Sequence, residues 1–123
     1  MSAHKVLVVD DEPFICRSLS FVLRKDRYDV LEARDGEEAL RVIRAERPDL
    51  VFLDVMMPKV DGFQVVQQVR ADPSLASVRI VLLTARGQET DRARGETIGV
   101  DAYITKPFSP TKILERARKL LGS

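Results

Sequence analysis

Short, uninterrupted apolar runs alternate along the chain with longer stretches in which apolar residues recur every three or four positions. Val6-Leu7-Val8-Val9, Leu50-Val51-Phe52-Leu53 and Ile80-Val81-Leu82-Leu83 are continuous and rich in branched side chains. Such runs suit parallel strands covered on both faces, so these are expected at the centre of a sheet. A run over 28–33 is broken by Asp29 and Glu32, and another over 102–104 is short. Both are expected at the sheet's edges.

The stretches between the runs carry helical spacing and helix-start signals. Pro13 suits a first helical turn, where its missing N–H is no loss, and Ile15, Leu19, Val22 and Leu23 form the stripe that follows. Asp35 with Glu38 three residues on predicts a capping box for a second helix, which buries Ala39, Leu40 and Ile43 and ends before Pro48. Asp61-Gly62 opens a third, with Val65, Val66 and Val69 inward and Asp72-Pro73 as its close. The fourth, over 88–98, offers the core little beyond Ala93, Thr97 and Ile98 and contains Gly95, which costs ~1 kcal/mol relative to Ala. Ser109-Pro110 starts the fifth, whose stripe is Ile113, Leu114, Ala117, Leu120 and Leu121 and whose end is Gly122. The β-α order repeats five times, and right-handed crossovers turn that order into a three-layer α/β domain.

At 123 residues the chain reads as one domain over 1–123, with 45% hydrophobic residues supplying an ordinary core. Lys plus Arg number 20 and Asp plus Glu 19, a net charge of +1 that argues against a nucleic-acid arm or a membrane-binding basic face. The single cysteine, Cys16, has no partner within the chain and reads as a small buried filler. The first apolar run is stopped by Asp10 and Asp11, too short for a signal peptide or a membrane span. A soluble, cytoplasmic protein is expected.

The chemistry lies where the apolar runs end. Val9 gives way to Asp10-Asp11, Leu53 to Asp54, Leu83 to Thr84, and Ile104-Thr105 to Lys106. In a parallel sheet these carboxyl ends share one edge, the place where open α/β sheets bind ligands. Three ionised carboxylates there repel one another, and one lysine does not compensate them all. A divalent cation is implied. The donors are hard oxygens, and His4 falls at the opposite end of its strand, so Mg²⁺ or Mn²⁺ is favoured over Zn²⁺. Beside such an ion, Asp54 is placed to act as a nucleophile on phosphorus, with Lys106 neutralising a phosphoryl oxygen and Thr84 donating to another.

These blocks, Val8-Val9-Asp10-Asp11-Glu12-Pro13, Asp54-Val55-Met56-Met57-Pro58 with Asp61-Gly62, Leu83-Thr84-Ala85 and Thr105-Lys106-Pro107-Phe108, resemble the signature of the receiver domain of two-component response regulators. The resemblance runs over essentially the whole chain. It implies a flavodoxin-like (βα)5 fold with strand order 2-1-3-4-5. It makes Asp54 the phosphoacceptor, Asp10 and Asp11 the acidic pair, and the Met56 carbonyl a further metal ligand. Thr84 and Lys106 become the switch pair, Ala85 leaves the phosphoryl group room, Tyr103 is an aromatic switch residue, and the bond before Pro107 is cis. Arg86 either meets the phosphoryl group or faces solvent. The implied partners are a histidine kinase or histidine phosphotransfer protein, a downstream protein target, and a second copy on phosphorylation, with neither nucleic acid nor membrane bound directly.

The expected function is a phosphorylation-dependent switch that catalyses its own phosphorylation and dephosphorylation but is not a turnover enzyme. Its output surface is expected on the fourth helix, the fifth strand and the fifth helix. The alternatives are a receiver fragment of a larger regulator, a docking module without phosphorylation, or an aspartyl-nucleophile phosphatase of the haloacid-dehalogenase type. The phosphatase wants an acid two residues after its nucleophile, where this chain has Met56.

Overall fold

The computed structural model describes residues 3–57, 59–84 and 99–122. Five strands, β1 (Lys5–Val9), β2 (Asp29–Ala33), β3 (Leu50–Asp54), β4 (Arg79–Thr84) and β5 (Ala102–Thr105), form one sheet. All pair in parallel, in the order β2-β1-β3-β4-β5. The helices are α1 (Pro13–Lys25), α2 (Gly36–Glu46), α3 (Gly62–Arg70) and a C-terminal helix (Pro110–Leu121), with a 3-10 turn over Pro73–Leu75. The expected helix over 88–98, with Gly95, and the positions Pro58, Ala85 and Arg86 lie outside the described residues.

Alternation along each strand divides the core in two. Leu7, Val9, Val51, Leu53, Ile80 and Leu82 face α2 and α3, where they meet Ala39, Ile43, Val66 and Val69. Val6, Val8, Leu50, Phe52, Val81 and Leu83 face α1 and the C-terminal helix, where they meet Leu19, Leu23, Ile113 and Ala117. A fully buried side chain of this size contributes roughly 1.5–3 kcal/mol. That is why β1, β3 and β4 need no polar residue before their ends. The margins are as wet as their broken patterns imply, with Asp29 and Glu32 of β2 exposed.

Several local details depart from the sequence expectation. The buried residues of α1 are Cys16, Leu19, Ser20 and Leu23, while Ile15 and Val22 are only half-buried. Ser20 is admitted because its hydroxyl donates to the Glu32 carboxylate on β2. Asp35 does cap α2, accepting from the Glu38 N–H at 2.8 Å, but Glu38 reaches back to the Arg34 N–H rather than to that of Asp35. The reciprocal box is on α3, where Asp61 and Gln64 each accept from the other's N–H at 2.9 Å. α3 ends at Arg70 with Ala71 as its cap, directly before Asp72-Pro73 as expected, and Asp72 also caps the 3-10 turn by accepting from the Ser74 N–H. In the C-terminal helix Ile113 and Ala117 are buried, whereas Leu114, Leu120 and Leu121 are half-buried. Cys16 is buried, and its surroundings push the thiol up to about 11, so it is an inert filler at neutral pH.

Two glycines set how tightly the loops close over the sheet edge. A Cβ at Gly36 would stand 2.2 Å from the Val60 carbonyl oxygen, and one at Gly62 2.6 Å from that of Asp54. Neither contact has room for a methyl group, and in both the opposing atom is backbone. Gly36→Ala is therefore expected to lower the unfolding free energy by about 1–3 kcal/mol, the usual cost of overpacking, despite alanine's better helix propensity. Urea denaturation checks this, and an unchanged or raised midpoint would show that the loop at Val60 yields freely.

Candidate functional site

Four strand ends and the turn into α3 build a crevice at the carboxyl edge of the sheet. Asp10 follows β1 directly; its N–H donates to the Ala33 carbonyl at 3.2 Å, which holds the backbone to β2. Its side chain accepts from the Glu12 N–H at 2.9 Å, turning the chain into α1. Asp54 is the last residue of β3, in register with Leu83 of β4. The Gly62 N–H donates to the Val55 carbonyl at 3.0 Å and draws the start of α3 against it. Thr84 ends β4 and is buried. The Lys106 N–H donates to the Thr84 carbonyl at 2.6 Å, carrying the ladder one residue past β5 and bringing Lys106 to the same edge.

One carboxylate oxygen each from Asp10, Asp11 and Asp54 fall within 4.8 Å of one another. Asp10 is 0% and Asp54 5% exposed, whereas Asp11 opens to solvent. Lys106 Nζ donates to Asp10 Oδ2 at 3.1 Å and to Asp54 Oδ1 at 3.3 Å, so one ammonium serves two buried acids. Burial first, and then the Asp10 charge, push the Asp54 carboxyl up to about 6 against the opposing pull of Lys106. On Lys106 itself burial acts to lower the pKa, but the carboxylates of Asp54 and Asp10 outweigh it and the net shift is upward. The ammonium therefore stays charged.

The other expected site residues are distributed as follows. Met56 lies just past Asp54 with its side chain 63% exposed at the rim. Tyr103, on β5 opposite Leu82, is half-buried and packs against the core cluster that faces α2 and α3. The Lys106-Pro107 bond is cis. Ala85 and Arg86 fall outside the described residues. Sequence reasoning missed the close backing of Asp54 by Gly62, and it missed the exposure of Phe14 and Phe21 on α1. The second was legible as phase, because both residues fall off the buried stripe of that helix.

Comparison with known proteins agrees with this geometry. Residues 6–118 match the family model described as the response regulator receiver domain. Over 117 residues the chain is 45% identical to the alkaline phosphatase synthesis transcriptional regulatory protein PhoP of Bacillus subtilis, covering 95% of this chain and 48% of that protein. It spans about half the length of the curated relatives it matches. Among solved structures, the chemotaxis protein CheY4 of Vibrio cholerae is similar at a TM-score of 0.90 and 32% identity, with 96% of this chain and 98% of that one covered. The receiver domain of the sensor histidine kinase PA1611 of Pseudomonas aeruginosa, with a magnesium ion coordinated in its active site cleft, is similar at a TM-score of 0.88. It is 28% identical, with 98% of this chain and 99% of that one covered.

The raised Asp54 pKa has a consequence for stability. A carboxyl whose folded value, about 6, exceeds its ordinary 3.8 favours the fold in its protonated form. That contribution is full below the unfolded pKa and is lost as the pH rises through about 6. In the presence of a chelator, Asp54→Asn is expected to stabilise the protein at pH 7 by about 1–3 kcal/mol, an advantage that disappears near pH 4. Urea titrations at the two pH values test it, and equal gains at both would contradict the electrostatic cause.

Proposed function

This chain belongs to the receiver domains of two-component response regulators, and from that membership we propose that it is a phosphorylation-dependent switch whose acceptor is Asp54. The observation that carries the reading is the shared ammonium: Lys106 lies 3.1 Å from Asp10 and 3.3 Å from Asp54, in a crevice where three carboxylates meet. Two buried acids and one cation at strand ends suit the binding of a group that is itself anionic and accompanied by a cation.

In the proposed reaction an Asp54 oxygen attacks the phosphorus of a phosphohistidine on a histidine kinase or phosphotransfer protein. The new P–O bond forms as the P–N bond breaks, and the imidazole leaves with the electron pair of the broken bond. The product is an aspartyl phosphate. Lys106 passes from the Asp54 oxygen to a phosphoryl oxygen, and the Thr84 hydroxyl donates to another, so both act by position and charge. Asp10, Asp11 and Asp54, with the Met56 carbonyl, would hold Mg²⁺ or Mn²⁺. The donor set fits such an ion, being entirely oxygen, with three carboxylates against the one ammonium of Lys106. When bound, the ion neutralises the acids and the transferring oxygens. The magnesium of the PA1611 receiver supports this assignment by similarity.

The output follows from what the phosphoryl group rearranges. Thr84 moving toward it frees space beside β4, which Tyr103 on β5 takes up. The surface from Thr84 through β5 to the C-terminal helix then offers a protein target, or a second copy, a changed face. The domain catalyses the gain and slow loss of its own phosphoryl group and turns over no separate substrate. Its place of work is the cytoplasm; among the described residues no helix is long and apolar enough to cross a membrane.

Incubation with acetyl phosphate and Mg²⁺, followed by mass spectrometry, is expected to add one phosphoryl group, which Asp54→Asn or a chelator abolishes. Lys106→Ala is expected to slow the modification about 100-fold, the usual effect of removing one preorganised charge-stabilising donor. An unmodified chain under these conditions would leave only the docking reading.

A further inference from the structure

A loop leaves the acidic crevice at Asp54, carries the exposed Met56 at the rim and returns to begin α3 at Gly62. Its stem is closed by the Gly62 N–H, which donates to the Val55 carbonyl at 3.0 Å. Met57 is buried in the core cluster that faces α2 and α3, and Val60 packs against the same cluster. The far arm of the loop rests on a segment from elsewhere in the chain. Gly36, the first residue of α2, meets Val60 so closely that a Cβ there would stand 2.2 Å from the Val60 carbonyl oxygen and 2.7 Å from the Val60 Cβ.

The backbone does not ask for a glycine at this position. Among the described glycines the positive φ values belong to Gly99 and Gly122, and at an ordinary φ alanine is the better helix former. What Gly36 supplies is the absence of a side chain. Real Cβ atoms essentially never approach a neighbour within 3.0 Å, so any side chain here would drive two backbones apart by most of an ångström. One neighbour would have to move, and both lead to the crevice. Val60 shares its loop with Met56. On the other side Gly36 closely follows Ala33, whose carbonyl accepts from the Asp10 N–H at 3.2 Å.

We infer that Gly36 is a positioning residue of the metal site, and that its close contact with Val60 tunes the site toward a small, strictly octahedral ion. The inference rests on the reading that Asp10, Asp11, Asp54 and the Met56 carbonyl hold the cation. A carboxylate reaches an ion by turning about its own side-chain bonds, whereas a backbone carbonyl moves only with its loop. The Met56 carbonyl is therefore set by what the loop rests on, Gly62 at the stem and Gly36 at the far arm. Mg²⁺ demands near-ideal octahedral geometry with ligands at about 2.0–2.1 Å, while Ca²⁺ accepts a flexible shell at about 2.3–2.6 Å. A loop lifted by a side chain at Gly36 loses the first ion and keeps the second. A role in packing alone would lower stability and leave the choice between the two ions untouched.

The test is calorimetric titration of the unphosphorylated chain with Mg²⁺ and, separately, with Ca²⁺. Gly36→Ala is expected to weaken Mg²⁺ binding about tenfold, the lower end of the loss when support behind a metal ligand is removed, and Ca²⁺ binding by less than about threefold. Val60→Gly takes the loop off its rest without overpacking and is expected to shift the preference in the same direction. Ile113→Val, a small loss of buried volume on the other face of the sheet, is the stability control and should leave both affinities unchanged. Gly36→Ala decides the matter where circular dichroism shows it folded, and Val60→Gly where it does not. An unchanged preference in the deciding variant, including equal weakening of both ions, would overturn the inference, as would an equal shift in Ile113→Val. Failure of the unaltered chain to take up Mg²⁺, or uptake undiminished in Asp54→Asn, would instead overturn the metal reading, and the role of Gly36 with it.

Discussion

A single ammonium bridges carboxylates from two strands that its own strand does not touch. Lys106 follows β5, whose neighbour is β4, yet its Nζ reaches Asp10 beyond β1 and Asp54 at the end of β3. Only a long, flexible cation spans that distance across the end of β4, where Thr84 is small enough to be passed over. The parallel sheet makes the meeting compulsory, because it puts every carboxyl end on one edge. In return the bridge ties three strand ends together. Burying a charge pair of this kind stabilises a fold less than apolar packing of the same volume does, so its presence argues for chemistry at the edge.

Several features of this fold were legible in the sequence because each depends on one local cause. Continuous branched runs gave β1, β3 and β4 as central strands, since covering on both faces leaves no polar side. The abrupt ionic residue after each run marked Asp10, Asp54 and Lys106 as edge residues, and the structure brings Lys106 within hydrogen-bond reach of both acids. What the sequence hid depends on two segments at once. Gly36 is required by the Val60 carbonyl and Gly62 by that of Asp54, and neither need is visible from the glycine's own neighbours. The capping box shows the same limit. Asp35 and Glu38 have its spacing, but the Glu38 side chain meets the Arg34 N–H instead. The box that does close, Asp61 with Gln64, had the same spacing in plain view. The stripe of α1 was shifted because Ser20, polar by type, finds a carboxylate on β2 and can be buried.

The crevice continues directly into α1. Asp10 and Asp11 lead through Glu12 into Pro13 and the exposed Phe14, so the acidic pair and the start of that helix lie at the two ends of a single turn. From the other side Lys106 enters one residue past β5 and meets both Asp10 and Asp54. The acids are therefore held between a helix start and a strand end that belong to opposite ends of the chain.

Charge arithmetic then decides what the proposed reaction requires. Three carboxylates and one ammonium leave the crevice acidic, and burial has already pushed Asp54 up to about 6. An aspartyl phosphate replaces one carboxylate charge by about −1.5 to −2. The site would become more anionic at the moment when its one cation must serve both the new group and Asp10. At the ends of β4 and β5, Thr84 is neutral and the Lys106 ammonium is already shared between Asp10 and Asp54. A divalent cation held among Asp10, Asp11 and Asp54 would close the balance. On this argument the metal is a condition for a stable product as much as an aid to its formation, and chelation should hasten loss of the phosphoryl-induced state only if that state had formed with the metal present.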